Sequence, residues 1–372
     1  MTFDQLVLVL GAARSGTSWL GKIFDSHPDV LYRHEPDLAL WERRLPFFIL
    51  EPDTDAYVTI AAEYVARLMH TPTFKASGQL PAFHKNYHTF GIQSLRTVMI
   101  QALRGAEAAS GSQRMRSFPV PDLFRPDRHP HLRIVMKSVS AAGRARVFLK
   151  ALPGMRFVFL LRHPCGQVAS ARRGFTQGKF ASGAPVLVHD VLSLPAAQRY
   201  GLTEQRLKAA CHTELLAWHW AATNEFVMEA ISGRENARFV LYEELCADPV
   251  PQARDLFSFS GLDWNRQTED FIRRSTSFGG TERYFSVFRN AVASANRWRT
   301  ELDQQDQRVI MDVMGQTSLG GLWADPPRGA ETAEPTRPAS DQAAAHRSRQ
   351  TTRDEREQPA RCRRDQSAAS AI

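Results

Sequence analysis

Cysteine is scarce. The 372 residues hold four, Cys165, Cys211, Cys246 and Cys362, too far apart for a C-x-x-C pair or a disulfide ladder. That spacing excludes a disulfide scaffold and fits a reducing cytoplasm. Long apolar runs are missing too. The chain starts almost directly on a strand, with no basic-then-apolar leader and no stretch long enough to cross a bilayer, so a soluble cytoplasmic enzyme is expected. Blocks of one charge are absent: the net charge is +8, but its positive excess is spread along the chain. This pattern excludes a nucleic-acid arm and suits a small anionic ligand. No cluster of His, Cys and carboxylates has metal-ligand spacing, so no metal is expected. Past Trp323 large apolar side chains almost vanish. Residues 324–372 are therefore expected to be a disordered tail behind a single catalytic domain, residues 1–323.

What is present is concentrated between Leu6 and Glu35. Val7 to Leu10 is an unbroken apolar run, as in a parallel strand covered on both faces. Gly11 ends it, and from Thr17 the apolar Trp19, Leu20, Ile23 and Phe24 recur at helical spacing until His27-Pro28. The loop Ala12 to Gly16 thus feeds a helix N-terminus, where free backbone N–H groups and the helix dipole favour an anion. Gly11 and Gly16 have the separation of the triphosphatase pattern G-x-x-x-x-G-K-[ST], and Ser18 takes the hydroxyl position. Thr17, however, replaces the lysine that reaches the β- and γ-phosphates, and the cation inside the loop is Arg14. The departure argues against triphosphate chemistry.

Further along, Val30–Tyr32, Arg133–Lys137, Arg156–Leu161 and Arg238–Leu241 read as strands, the first of them delivering Arg33, His34 and Glu35 beside the loop. Helical spacing recurs over 56–70, 90–105, 143–152, 249–261 and 302–313, and over Thr203–Ser232, expected to be the longest helix. Pro164 opens a helix that carries Ser170. The alternation predicts an α/β chain, a three-layer P-loop-like fold with a central parallel sheet flanked by helices. Thr71–Thr89, Ala106–Pro130 and Phe175–Tyr200 lack periodicity and are expected to shape an acceptor pocket, the last as a lid; Asn265–Phe285 is weakly patterned. Arg162 at the end of a strand, with Ser170 eight residues on, offers a guanidinium and a hydroxyl that can converge on one phosphate.

The block Arg14-Ser15-Gly16-Thr17-Ser18-Trp19-Leu20, followed by His27-Pro28-Asp29-Val30 and Glu35-Pro36, resembles the donor loop of the sulfotransferase superfamily, its carbohydrate-type and bacterial members above all. The resemblance implies 3′-phosphoadenosine 5′-phosphosulfate as co-substrate. Its phosphosulfate would lie on Arg14 to Trp19, and its 3′-phosphate on Arg162 and Ser170. Lys137 is similar to the lysine that contacts the transferring group, but Val139 stands where cytosolic-type members have their catalytic histidine. Val139 cannot take a proton. The general base then moves to Glu35, where carbohydrate-type members have a glutamate, with His34 as the rival. Arg14 and Lys137 would stabilise the developing charge.

Trp19 and Tyr242, the latter in LYEELCADP, are implied nucleobase contacts and serve equally well as core residues. Ser275–Phe278 resembles a segment beside the nucleotide, and Trp298-Arg299 a terminal element. Which of Arg289, Arg297 or Arg299 reaches the 3′-phosphate is open. The implied reaction moves a sulfuryl group to a hydroxyl, less readily an amine, of a carbohydrate or small metabolite. A nucleotide or small-molecule kinase, or a catalytically degenerate nucleotide-binding protein, are the alternatives.

Overall fold

The apolar run after Gln5 becomes β1 (Leu6–Leu10), the middle strand of a five-stranded sheet in the order β2-β3-β1-β4-β5. The others are β2 (Val30–His34), β3 (Arg133–Ser138), β4 (Arg156–Leu161) and β5 (Ala237–Leu241), and every pairing is parallel. Leu6, Leu8 and Leu10 turn to one face and Val7 and Val9 to the other, all of them buried. Successive residues of a strand alternate sides, so an unbroken apolar run requires cover on both. This is a computed structural model, and it describes residues 3–124, 129–178, 183–277, 288 and 290–323.

Helices supply that cover. In chain order they are α1 (Thr17–Asp25), α2 (Val58–Met69), α3 (Phe74–Ser77), α4 (Phe90–Ser110), α5 (Ala145–Ala151), α6 (Pro164–Thr176), α7 (Ala184–Leu192) and α8 (Pro195–Arg199). Then come α9 (Glu204–Ala209), α10 (His212–Ile231), α11 (Tyr242–Ala247), α12 (Pro249–Phe259), α13 (Arg266–Thr276), α14 (Ala291–Asn296), α15 (Trp298–Glu301) and α16 (Gln304–Gly315). α2, α5, α6, α7, α10 and α16 pack on the leucine face of β1. α1 and α11 to α14 pack on the valine face. The result is the expected three-layer α/β arrangement.

After β1 the chain crosses the valine face through α1 to reach β2, whereas after β3 it crosses the leucine face through α5 to reach β4. The two crossings leave in opposite directions, and the crevice at such a reversal, outside the carboxyl ends of the strands, is where open α/β sheets bind ligands. Along that edge the sheet order sets out, in turn, Glu35 after β2, Lys137 at the end of β3, the loop after β1, and Arg162 after β4.

Some expectations change. The helix foreseen over Thr203–Ser232 is two, because Ala210 is extended (φ −62°, ψ 147°) and Cys211 begins a new turn; the break carries no Gly or Pro to announce it. The longest helix is α4, 21 residues. Phe175–Tyr200 is less irregular than foreseen, since α7 and α8 lie within it, each opened by a proline in its first turn. The weak stretch after Asn265 begins as α13, which Asn265 caps by accepting from Thr268 N at 2.9 Å. The tail expected over 324–372, Arg289 and Phe278 lie outside the described residues.

Between α3 and α4 the chain has no regular structure, and buried cations hold it in place. Lys22 on α1 donates to Asp25 (2.5 Å) and to the carbonyls of Gln79 (3.0 Å) and Pro81 (2.8 Å). Lys85 pairs with the same Asp25 at 3.0 Å and donates to the carbonyls of His27 and Val30. Arg33, fully buried in β2, donates to Met69 O at the end of α2 and Ser77 Oγ at the end of α3, and pairs with Asp122. Removing one member of such a pair strands the other in low dielectric. Asp122→Ala should therefore lower the urea-unfolding free energy by about 3 kcal/mol; a loss within the error of the extrapolation would mean that Arg33 finds another counter-charge.

Candidate active site

The crevice is a cleft of about 1240 Å³. Single small-molecule pockets run to roughly 300–1,000 Å³, so this one has room for two ligands. On one side it is walled by Arg14, Gly16, Ser18, Trp19, Arg162 and Tyr242. On the β2 side the wall is built by α3, the segment 79–82 and α4, with Lys75, Gln79, Thr97, Gln101 and Arg104 among its residues. His34, Glu35, Lys137 and Val139 also line it.

The loop after β1 is shaped by contacts that only small residues allow. Gly16 has φ 102°, and a Cβ there would run into the Tyr242 ring; a Cβ on Gly11 would come within 2.7 Å of the Leu160 carbonyl oxygen. Gly16 caps α1 without any side-chain hydrogen bond, so no side chain of the cap competes for the first N–H groups of the helix. Ser15 Oγ is buried with no partner among the described residues. An anion at the helix N-terminus fits this loop.

Arg14 is itself left-handed, φ 75°, and its Nε donates to Ser170 Oγ at 3.0 Å. Arg162 donates from Nη1 to the Arg14 carbonyl (3.0 Å) and from Nη2 to the Ser294 carbonyl (2.9 Å), and lies over the Tyr242 ring at 4.7 Å. Its Nε is buried without a partner among the described residues. The structure thus brings Arg162 and Ser170 into one neighbourhood but places Arg14 between them, and what looked like two separate anion sites is one connected group.

The other half of the site is an ion pair. Glu35 N donates to Lys137 O at 2.7 Å, which extends the β2–β3 ladder by one residue, and Lys137 Nζ sits 2.5 Å from Glu35 Oε1. Lys75 Nζ is 3.6 Å from the other carboxylate oxygen, Oε2. Burial alone would raise the Glu35 carboxyl; the cations, Lys137 foremost, outweigh it and bring its pKa to about 2. His34 goes the opposite way in charge. Burial, then Lys137, push its imidazole down to about 3, so it is neutral at pH 7. Tyr32 OH lies 3.1 Å from His34 Nδ1; when that hydroxyl donates, the ring proton is on Nε2 and His34 is a donor toward the cleft. Glu35 holds a left-handed conformation too, φ 47°. Of the three non-glycine residues with positive φ among those described, two, Arg14 and Glu35, lie in this cleft, and such strain gathers at functional sites.

Arg14, Gly16, Thr17, Ser18, Trp19, His34, Glu35, Lys137, Arg162 and Tyr242 line the cleft; Ser15, Ser170 and Arg299 do not. Trp19 donates from Nε1 to Ser275 Oγ at 3.0 Å and meets the Tyr242 ring edge-on at 6.4 Å, so both aromatics are core residues with one side on the cleft. Arg299 donates to Asn296 Oδ1 and stacks on Trp298. Val139 is a cleft residue, which keeps that position without a base. Glu35 pairs with Lys137, and its sequence neighbour Arg33 with Asp122. Sequence reasoning missed Lys75, Arg104 and Arg116. Thr97, Gln101 and Arg104, spaced i, i+4, i+7 on α4, were a polar stripe that could have flagged that wall; Lys75 had no signal. Among the described residues no three His, Cys, Asp or Glu side chains gather as a metal site.

The sulfotransferase family model matches residues 6–266. Mouse carbohydrate sulfotransferase 2 is 26% identical over 341 residues, covering 84% of this chain and 64% of that protein. Human carbohydrate sulfotransferase 5 is 26% identical over 320 residues, covering 80% and 72%. The chain thus spans less than two thirds of the length of carbohydrate sulfotransferase 2. Among solved structures, the sulfotransferase domain of the Synechococcus PCC 7002 olefin synthase superposes with a TM-score of 0.42 at 15% identity, covering 87% of this chain and 95% of that one. The cytoplasmic location expected from the sequence does not hold against the curated relatives, which are carbohydrate sulfotransferases. Among the described residues no helix is long and apolar enough to cross a membrane.

Both shifted groups favour the folded state at neutral pH, and both contributions are lost in acid. His34, at about 3 against an ordinary 6.5, stabilises fully above 6.5 and progressively less as pH falls toward 3. Glu35, at about 2 against 4.5, adds its loss below 4.5. The melting temperature should fall from pH 6.5 downward, and His34→Gln should flatten that slope above pH 4.5, where Glu35 does not contribute. His163, depressed to about 4, leaves a residual slope. An identical slope in His34→Gln would show that His34 is not held neutral by the fold.

Proposed function

The chain belongs to the sulfotransferase family, and on that premise we propose that residues 1–323 transfer a sulfuryl group from 3′-phosphoadenosine 5′-phosphosulfate to a hydroxyl, less readily an amine, of a carbohydrate or small metabolite. The observation that carries the reading is the Lys137–Glu35 pair. It sits on the sheet edge between the anion loop and the wall that bears Lys75.

The donor supplies the sulfuryl group and a phosphate as its leaving group; the rest falls to the chain. Arg14, the loop amides and the uncapped start of α1 hold the phosphosulfate end. Arg162 braces the Arg14 backbone and, from the cleft wall, would receive the second phosphate, while Ser170 lies behind it and holds Arg14 Nε. In-line transfer spreads negative charge over the equatorial oxygens and the departing phosphate, which fixed cations stabilise in a site with little water. Lys137 is placed for this. Once its ammonium turns to the donor's oxygens, Glu35 loses its strongest counter-charge, and burial then raises its basicity. A carboxylate so released can take the acceptor's proton as the hydroxyl attacks. His34, neutral, and donating through Nε2 when Tyr32 donates to its Nδ1, orients rather than deprotonates. A kinase reading finds no lysine for the γ-phosphate: Thr17 holds that position, and Lys22 is committed to Asp25.

Calorimetry separates these readings. The desulfated nucleotide, 3′-phosphoadenosine 5′-phosphate, should bind with micromolar affinity, and Arg162→Ala should weaken it about 10- to 100-fold, the size of a lost charge-assisted contact. Tight ATP binding without it would point to a kinase. Glu35→Gln should cut turnover by about 10²–10⁴-fold, the usual share of a general base. Nucleotide affinity in that variant should hold; full activity would move the base elsewhere.

A further inference from the structure

Among the described residues the cleft wall contains one carboxylate, Glu35, against seven lysine and arginine side chains. Arg14, Lys137 and Arg162 face the donor on the reading above, and Lys22 is committed to Asp25. Arg116 is likewise paired, with Glu107. Two cations remain, Lys75 and Arg104, both on the α3–α4 side, which the donor sites leave for the acceptor.

Their setting shows that they are not ordinary surface charges. α4 turns Thr97, Gln101 and Arg104 to the cleft while Leu95 and Val98 look to solvent, 60% and 67% exposed. A surface helix usually does the reverse. Arg104 donates from Nη2 to the Gly78 carbonyl at 2.9 Å, which fixes the guanidinium, but its Nε is buried with no partner among the described residues. The neighbouring carboxylate, Glu107, pairs with Arg116 at 2.7 Å. Arg104 is thereby partly desolvated without a carboxylate of its own; burial pushes its pKa down, with only Glu107 opposing. A partly buried guanidinium with an unsatisfied donor gains most from an anion that supplies both charge and acceptor.

We infer that the acceptor carries a fixed anionic group, a carboxylate, sulfate or phosphate, received by Arg104 while the reacting hydroxyl lies at Lys75 and Glu35. The inference rests on the sulfotransferase reading and names its substrate class. The donor's charge is balanced on the loop side, and the acceptor's on the α4 side. Arg104 sets specificity here rather than chemistry. Its contact belongs to a part of the acceptor that does not react, so it acts on acceptor binding and leaves the nucleotide alone.

The test uses the full chain saturated with 3′-phosphoadenosine 5′-phosphate, so that failure of nucleotide binding, which would defeat the sulfotransferase reading itself, is seen before any acceptor is added. Into this complex are titrated 4-nitrophenyl β-glucuronide, the 6-sulfate and 6-phosphate of 4-nitrophenyl β-glucoside, and the neutral glucoside. At least one anionic sugar should bind about tenfold tighter than the neutral one, the worth of one charge-assisted hydrogen bond. Which of the three binds best identifies the anion. Arg104→Gln should remove most of that preference. Gln101→Glu, an exposed position on the same face, should do so by adding a negative charge without touching the Gly78 contact. Equal binding of neutral and anionic sugars, no binding of any of them, or a preference unchanged in both variants would overturn the inference.

Discussion

Two charges 2.5 Å apart at the ends of neighbouring strands, Lys137 on β3 and Glu35 past β2, have left water together, and neither could be buried alone. Much of the cleft follows from that constraint. The β2–β3 register must be fixed to a single residue for the pair to meet, and the hydrogen bond from Glu35 N to Lys137 O fixes it. Glu35 must accept a left-handed backbone to stay beside the strand end. Such a conformation costs of order 1 kcal/mol and persists only where its surroundings over-determine it. Here they do so through a cation on each carboxylate oxygen.

The cations of the molecule fall into two groups by what they touch. Lys22 and Lys85 are buried on carbonyls and a carboxylate and replace the secondary structure that the segment from α3 to α4 lacks, while Arg33 ties β2 to the ends of α2 and α3 and to Asp122. They set where the α3–α4 wall of the cleft stands. Arg14, Lys75, Lys137 and Arg104 face the cleft from different elements, so among the described residues its lining carries a positive excess. A cleft with walls of low dielectric focuses the field of such an excess and draws anions in. The net charge of +8 thus has a local expression as well as a global one.

Much of this architecture was legible in the sequence because it is local. Unbroken apolar runs can only be doubly covered strands, and the Gly11 to Gly16 turn before Thr17 marks a helix start aimed at an anion. Glu35 and Lys137 were legible as members of a resemblance, but their contact was not, since it joins residues 102 apart through a strand pairing that no pattern records. Lys75 and Arg104 were illegible for a plainer reason. Lys75 sits where chain direction is held by buried lysines rather than by periodicity, and Lys85 looks in sequence like any surface cation; Arg104 lay in a polar stripe on a foreseen helix, but the wall it faces is set by that same irregular segment. The division of Thr203–Ser232 at Ala210 was hidden likewise, because both halves keep helical spacing and the break needs no special residue.

The central claim is that Lys137 is shared, bound to Glu35 at rest and to the donor when it is present. Carbon-13 NMR of the Glu35 carboxylate, titrated in the free protein and in the complex with 3′-phosphoadenosine 5′-phosphosulfate without acceptor, reads it directly. The account predicts a pKa of about 2 in the free protein and a rise toward the ordinary glutamate value in the complex. A carboxylate that titrates at the same pH in both states would contradict it.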